Sequence, residues 1–256
     1  MSNDYTIAAV VRALGILKLF DEKHKRMTLT EISERSGVTK SSVLRVLASC
    51  EAQGFIKYEP EIKMYRLGIE IFKLSNTAYD FLGFKKTAVP FVQKMVNEMD
   101  LVGHLGVIEN DHAVVIAKVW PNNATDGLAM LSRVGGVVPT HCTGIGKVLT
   151  AFGTDEERKR LLENCNFERY TDETICSRAE FEKVIDTIRK QGYAVTISEH
   201  EPFIECITYP VYGINNRLVG AMSLSGLTHA FDAEMEARAK SILHRTAQLV
   251  SNEMGA

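Results

Sequence analysis

The most constraining feature of the sequence is a pair of short predicted helices separated by a single glycine. Thr28-Leu-Thr-Glu31 matches a capping box, in which a threonine and a glutamate satisfy free amides at a helix start. Gly37 ends this helix within roughly two turns, and Thr39 is a good residue to begin the next one. The order helix, glycine turn, helix is typical of a helix-turn-helix unit.

A predicted β-hairpin follows the second helix directly. Gln53-Gly54 suits a helix end, because glycine readily adopts the left-handed conformation. Residues 55–58 and 64–67 predict two strands, and residues 60–63 predict the turn between them. Two helices followed by such a hairpin predict a winged helix-turn-helix. An ordinary three-helix bundle with an exposed basic helix is the alternative.

The second helix is amphipathic in a way that suits DNA. Val43, Val46, Leu47 and Cys50 recur at helical spacing and form one apolar stripe. The opposite face is small and polar with one long cation, Arg45, so it is suited to approach base edges and phosphates. The predicted DNA contacts are Thr39, Lys40, Ser41, Ser42, Leu44 and Arg45, together with Lys63 and Arg66 in the hairpin.

Charge and composition agree with this interpretation. Residues 1–67 carry 11 Lys and Arg against 8 Asp and Glu, whereas the rest of the chain carries 19 against 24. The excess of positive charge favours a partner such as nucleic acid for the N-terminal part. The five cysteines are scattered and form no CxxC pair, which favours a reducing compartment. Without a signal peptide or a membrane-spanning stretch, we expect a soluble, cytoplasmic protein with no membrane partner.

Three parts of the chain are predicted. Residues 1–67 form the winged helix-turn-helix, and residues 68–84 form a stiff linker helix, since they contain no proline or serine-rich run. Residues 85–256 form a larger α+β domain with a mainly antiparallel sheet. Its predicted strands and helices alternate, and the last helix covers residues 232–252 with Leu249 on its apolar side. The predicted strands are residues 101–109, 112–120, 128–134, 193–198, 206–212 and 217–225.

The sequence resembles the IclR family of bacterial transcription regulators over nearly its whole length. No single motif carries the resemblance, but all of them occur in the order that the family shows. The most telling motifs are Thr30-Glu-Ile-Ser-Glu-Arg-Ser-Gly37, Lys40-Ser-Ser-Val-Leu-Arg45, Tyr65-Arg-Leu-Gly68, Arg133-Val-Gly-Gly136, Pro139-Thr-His-Cys-Thr-Gly-Ile-Gly-Lys147, Arg189-Lys-Gln-Gly-Tyr193 and Ser223-Leu-Ser-Gly226.

The resemblance implies both a fold and a function. It implies a winged helix-turn-helix, a linker helix and a GAF-like effector-binding domain. It implies a homodimer or homotetramer that binds double-stranded DNA at a pseudo-palindromic operator and acts, in our interpretation, as a repressor. The effector that the resemblance implies is a small molecule, a carboxylic acid, and no cofactor, metal or catalytic residue is expected.

Carried over residue by residue, the resemblance also implies an effector pocket. The amides of Gly144 and Ile145 would begin a helix and favour an anion there. Ser223 and Ser225 are two positions apart on a strand and therefore point to the same face. The pocket residues are Gly144, Ile145, Cys206, Ser223 and Ser225 on the polar side, and Met130, Val138 and Ile204 on the apolar side.

The sequence also departs from the pattern of the family. Thr196 stands where an acidic residue is common, and Phe203 and Glu205 replace the glycine and arginine of a Gly-x-Arg-Cys motif. Leu44 stands where many members carry a polar or aromatic residue, although it could contact a thymine methyl group. These departures put the identity of the effector in question.

Three other interpretations of these motifs lack support in the sequence. Gly144-Ile-Gly-Lys147 lacks the first glycine and the final Ser or Thr of a phosphate-binding loop. His141, Cys142, His200 and Cys206 lack metal-ligand spacing. Cys206 as a nucleophile would need a neighbouring base such as His141 or His200. Two functional alternatives therefore stay open: an enzyme on a small acid with an appended DNA-binding domain, or a regulator whose C-terminal domain only mediates oligomerisation, with Phe203 filling the pocket.

Overall fold

The computed structural model describes residues 6–21, 23–74, 83–123 and 130–256. The chain divides into two compact units, residues 1–81 and 82–256. The division falls within the predicted linker helix. Residues 69–74 of that prediction are helical, and residues 75–82 lie outside the described part of the chain.

The smaller unit contains three helices and a hairpin. The helices are α1 (Ala8–Leu17), α2 (Leu29–Ser36) and α3 (Lys40–Ala52), and the strands are β1 (Ile56–Glu59) and β2 (Met64–Leu67). The predicted capping box begins α2, and Gly37 ends it in the left-handed conformation at φ 68°. The helix-turn-helix and the wing are therefore confirmed.

The core of the smaller unit uses a different face of α1 from the one that the periodicity predicts. Ile7, Val10, Leu14 and Leu17 recur at helical spacing, which predicts one buried apolar stripe. Ile7, Val10 and Leu14 are at least half exposed, whereas Leu17 is partly buried and packs against the core. Ile16 and Phe20 are buried instead, because they lie where α1 packs on the other helices. The remaining buried members of this core are Met27, Ile32, Val43, Leu47, Ile56 and Tyr65.

The larger unit is built around a five-stranded antiparallel sheet with strand order β4-β3-β7-β6-β5. This confirms the α+β class with an antiparallel sheet. The strands are β3 (Val102–Glu109), β4 (His112–Val119), β5 (Ala194–Ile197), β6 (Ile204–Gly213) and β7 (Arg217–Leu227). The helices are α4 (Phe84–Met99), α5 (Gly144–Phe152), α6 (Asp155–Glu163), α7 (Arg178–Gln191) and α8 (Ala233–Glu253).

Each face of the sheet is covered by its own helices. One face packs on α4 and α8 through residues such as Leu105, Ile207 and Leu224. The other face packs on α5, with α6 and α7 outside it, through residues such as Ala194 and Ala221. Because side chains alternate along a strand, the residues between the first set point toward α5.

Two local predictions in the larger unit are wrong. No strand forms over residues 130–134, and residues 128–129 of that predicted strand lie outside the described part. Leu249 is 42% exposed, whereas Leu243 and Val250 form the buried side of α8. Residues 130–134 form a loop and Leu249 faces solvent, because tertiary packing decides which apolar residues of a local pattern are buried. No helix in the described ranges is long and apolar enough to span a membrane.

Candidate DNA-binding surface and effector cavity

The recognition helix α3 presents the face that the sequence predicts. Val43 and Leu47 are fully buried, so Ser41, Leu44 and Arg45 are turned outward and exposed. The Arg45 carbonyl accepts from the Ser49 hydroxyl at 2.9 Å, but the Arg45 side chain makes no hydrogen bond or ion pair with any residue that the structure describes. Its guanidinium is therefore available to an acceptor outside the protein.

The start of α3 differs in detail from the prediction. Thr39 occupies the first position before the helix, but its hydroxyl donates to the Ser42 hydroxyl at 3.2 Å and does not cap a backbone amide. Thr39, Lys40 and Ser41 are exposed, and Ser42 is half-buried. The amides at the beginning of this helix thus lie beside a row of small hydroxyls, which is a suitable environment for a phosphate.

The two predicted cations of the wing lie in different environments. Lys63 is exposed in the turn with φ 53°. Arg66 donates to a carboxylate oxygen of Glu59 at 2.8 Å and to the carbonyl of Leu67 at 3.0 Å. Arg26, from the α1–α2 loop, donates to the other Glu59 oxygen at 2.7 Å. These two arginines lower the pKa of Glu59, so part of the charge of the wing is already neutralised.

In the larger unit, all eight predicted pocket residues line one cavity between the sheet and the start of α5. Its volume is about 60 Å³. Residues that the sequence analysis did not single out for the pocket also line it: His104, Val115, Ser132, Cys142, Thr143, Thr196, Glu199, His200 and Glu201. Whether these residues hold an effector stays a prediction.

Two rows of polar side chains on the sheet lie beneath the cavity, and all of them except Thr208 line it. Thr196, Cys206 and Ser225 face one another across β5, β6 and β7. Thr208, Ser223 and His104 do the same across β6, β7 and β3. Alternation along each strand places both rows on the α5 side of the sheet. Sequence reasoning recognised only part of these rows because the register between strands is a tertiary property.

The start of α5 supplies the donors of the cavity. The Thr143 hydroxyl caps the amide of Gly146 at 3.1 Å, and the Thr143 carbonyl accepts from the amide of Lys147. The amides of Gly144 and Ile145 have no partner among the described residues. Two unpaired amides at the positive end of a helix favour an anion.

Glycine is required at residue 144 because the helix start approaches β6 closely. A Cβ there would come within 2.1 Å of the Thr208 hydroxyl oxygen. That oxygen is buried and has no hydrogen-bond partner within the described part of the chain. The Thr208 hydroxyl beneath Gly144 therefore has unused hydrogen-bonding capacity. A buried polar group of this kind costs free energy until a hydrogen-bond partner reaches it.

A buried ion pair links α5 to the segment that follows β5. Lys147 is 1% exposed, and its ammonium contacts both carboxylate oxygens of Glu199 at 2.5 and 2.6 Å. Burial lowers the pKa of Lys147 and raises that of Glu199, while the attraction between the two charges acts against both shifts. Because Lys147 points inward to Glu199, it is not available to a nucleotide phosphate.

His104, which lines the cavity, lies between two hydroxyl groups. His104 contacts the hydroxyls of Ser132 at 3.0 Å and Ser225 at 3.4 Å. Burial, with a smaller contribution from Lys118, lowers its pKa to about 3. A neutral imidazole offers one donor and one acceptor, so it orients hydroxyl groups and adds no charge at physiological pH.

The geometry also bears on the other interpretations of these residues. The Cys206 thiol lies beside Ser225 and Thr196, and burial raises its pKa to about 11, which opposes a nucleophilic thiolate. His141 bonds instead to the carbonyl of Glu168 and to Cys165. Within the described ranges, no three His, Cys, Asp or Glu side chains are grouped to hold a metal ion.

The idea that Phe203 fills the pocket is wrong. Phe203 is 70% exposed and does not line the cavity. Its backbone has φ 63°, a left-handed conformation that glycine adopts without strain. Glu205 is buried, but it lies on the opposite face of β6 from Cys206. Of the three departures near the pocket, only Thr196 is part of its wall.

Comparison with known proteins identifies the family. Residues 9–60 match the IclR helix-turn-helix domain, and residues 77–252 match the bacterial transcriptional regulator IclR C-terminal domain. The chain belongs to the IclR family of transcription regulators. It is therefore a DNA-binding regulator with an effector-binding C-terminal domain, and this membership decides against the enzyme alternative.

Individual relatives match over nearly their full length. The chain is 30% identical to the HTH-type transcriptional regulator XynR of Escherichia coli, over 97% of this chain and 98% of the relative. It is similar to an IclR transcriptional regulator from Alicyclobacillus acidocaldarius, with a TM-score of 0.83, 28% identity and coverage of 98% and 100%. An IclR homologue from Microbacterium hydrocarbonoxydans complexed with 4-hydroxybenzoate shares the fold, with a TM-score of 0.85, 19% identity and coverage of 96% and 99%.

Proposed function

We propose that this regulator is a repressor whose binding to a pseudo-palindromic operator is modulated by a small carboxylic acid in the cavity. The observation that carries the proposal is the pair of unpaired amides, Gly144 and Ile145, at the wall of the cavity. A carboxylate accepts hydrogen bonds from such amides and is stabilised by the helix dipole.

The size of the cavity favours a compact effector. A volume of about 60 Å³ accommodates roughly four to six water-sized groups. Met130, Val138 and Ile204 supply an apolar wall, while Ser223 and Ser225 supply hydroxyls. This combination of few polar groups and an apolar lining suits a short-chain acid.

Recognition of the operator is assigned to α3 and the wing. Arg45 and the hydroxyls beside it would read base edges or phosphates, and Lys40, Lys63 and Arg66 would contribute mainly to phosphate binding. A homodimer would place two such helices in successive major grooves about 34 Å apart. The exposed apolar residues Val10 and Leu14 of α1, with Ile7 directly before it, support self-association, because monomers seldom expose such stripes.

A thermal-shift screen of short-chain carboxylic, keto, sugar and aromatic acids tests the effector proposal. An acid that binds the native state raises the melting temperature in proportion to ln(1 + [L]/Kd). We expect a short acid to stabilise the wild type and Ser223→Ala to lose that effect. Ser251→Ala is the matched control, since Ser251 is a buried serine of α8 outside the cavity.

Two outcomes would contradict the effector proposal. If no acid shifts the melting temperature, the cavity does not hold a carboxylate at accessible concentrations. If Ser223→Ala and Ser251→Ala reduce the shift equally, the acid binds elsewhere on the protein.

A further inference from the structure

The loop after β5 brings three consecutive ionisable side chains to the cavity wall. Glu199 is committed to Lys147, as described above. The pKa of His200 is lowered, mainly by burial, which favours the neutral imidazole. Of the three, Glu201 has a carboxylate oxygen that can still accept a hydrogen bond. Its surroundings indicate which kind of group it recognises.

Glu201 uses one carboxylate oxygen and leaves the other unused. Its Oε2 accepts from the backbone amide of Leu131 at 2.8 Å. Its Oε1 lies 3.8 Å from Nδ1 of His200, which is beyond hydrogen-bonding distance. The side chain is only 14% exposed and lines the cavity. Burial raises the pKa of Glu201, while the Leu131 amide and Lys118 act against that shift. A carboxylate oxygen in such a place therefore costs free energy unless a further donor reaches it.

The protein groups around Glu201 are occupied with one another. Ser132 contacts His104, and the Lys118 ammonium donates to the carbonyls of Met130 and Ser132. Within the described residues, the Leu131 amide is the single hydrogen-bond donor to Glu201. The donor that Oε1 requires is therefore expected from a molecule in the cavity.

The two sets of groups impose different demands on one ligand. The start of α5 favours a carboxylate, and the Glu201 carboxylate would repel a second negative charge while attracting a hydrogen-bond donor. We propose, on the basis of the proposed function, that the effector is a hydroxy acid and that Glu201 selects it by accepting from its hydroxyl.

A hydroxyl fits this wall better than an ammonium. An ammonium has three donors and no acceptor, whereas a hydroxyl both donates and accepts. His200, the residue before Glu201, also lines the cavity, and its neutral imidazole offers one donor and one acceptor. A hydroxyl can donate to Glu201 and accept from His200 at the same time.

Acids of equal size that differ at one position provide the test. Lactate carries a hydroxyl, propionate a hydrogen, pyruvate a keto oxygen and alanine an ammonium at the same carbon. Isothermal titration gives the affinity of each for the wild type. We expect lactate to bind about ten- to a hundred-fold more tightly than propionate, as a hydrogen bond to a charged group allows.

Variants at Glu201 assign the selectivity to this side chain. Glu201→Gln keeps the shape and the contact with Leu131 but removes the charge, so the ratio of lactate to propionate affinity should fall to about three-fold or less. Glu201→Asp withdraws the carboxylate from the ligand and should lower the same ratio, which keeps the test available if the glutamine variant folds poorly. Glu205→Gln is the matched control, because Glu205 is buried on the other face of β6.

Each other outcome overturns the proposal in a distinct way. Equal affinity for lactate and propionate would show that the hydroxyl is not recognised. A uniform loss of all four affinities in Glu201→Gln would make Glu201 a structural part of the wall. Preference for alanine would assign an amino acid to the cavity. If none of the wider acid panel binds either, the proposed function fails, and the role of Glu201 fails with it.

Discussion

The candidate DNA-binding surface and the candidate effector cavity differ in how many parts of the chain build them. The exposed face of α3 comes from 13 consecutive residues, Lys40–Ala52. The cavity brings together residues far apart in sequence, such as His104 and Ser225, which are 121 positions apart and share a contact of 3.4 Å. A local pattern is sufficient to predict the first surface, whereas the second depends on how the strands pair.

The two regions also differ in what their side chains do in the folded protein. The Arg45 side chain is exposed and makes no hydrogen bond or ion pair with another described residue. In the cavity, Lys147 and His104 are buried and held by specific partners. We therefore expect substitutions on α3 to change DNA binding with little effect on stability, and substitutions behind the cavity to change stability strongly.

The largest effect is expected at the buried ion pair. Lys147→Met leaves the Glu199 carboxylate buried without its partner and should lower the free energy of unfolding by about 3–5 kcal/mol. Urea unfolding followed by the fluorescence of Trp120, the one tryptophan of the chain, reports on the larger unit. Lys159→Met is the control, because Lys159 is 74% exposed and should change stability by less than about 0.5 kcal/mol.

A loss below about 1 kcal/mol in Lys147→Met would contradict the account of the pair. The double variant Lys147→Met with Glu199→Gln sharpens the result. It should recover part of the lost stability, since it removes the uncompensated charge.

A smaller effect, on DNA binding alone, is expected at Arg45. Arg45→Ala should cost about 1–3 kcal/mol of specific binding if Arg45 reads a guanine, and should change the melting temperature measured by circular dichroism very little. Arg217→Ala removes an equally exposed charge from the larger unit and serves as the control. Equal weakening on operator and random DNA would instead make Arg45 a phosphate contact.

The smallest effect is expected at Phe203. Its left-handed backbone costs roughly 1 kcal/mol in a non-glycine residue, and its exposed ring contributes little burial. Phe203→Gly should therefore stabilise the larger unit by about 1 kcal/mol or slightly less, measured by the same urea unfolding. Phe203→Ala keeps the strain and should gain nothing; a glycine variant less stable than the alanine variant would show that this explanation is wrong.

The sequence patterns were most informative where the structure is local. The capping box at Thr28 and the start of α5 at Gly144 were both identifiable from a few neighbouring residues. The β3–β4 hairpin follows from Asn110 and Asp111, both left-handed in the structure. These features could be predicted because a cap or a tight turn is satisfied within a few residues.

Local sequence patterns did not predict features that depend on contacts with another segment of the chain. The apolar residues over 128–134 suggest a strand, but none forms over the described residues 130–134, where a loop lines the cavity. The contacts of Glu59 with Arg66 and with Arg26 from another loop were not predicted, while DNA contact by Arg66 stays a prediction. Glu201 became a candidate site residue only when the fold placed it against Leu131. The spacing of neighbouring residues does not predict such contacts.

The central claim is that the cavity and the recognition helix act on one equilibrium. The most direct test first measures the affinity of the protein for a fluorescent operator by anisotropy, with and without the acid identified by the thermal-shift screen. It then measures the affinity of the protein for that acid, with and without the operator. Linkage requires both affinities to change by the same factor, which for typical coupling is about 5- to 150-fold. If the acid binds free and operator-bound protein equally well, it cannot shift the equilibrium, and the claim is wrong.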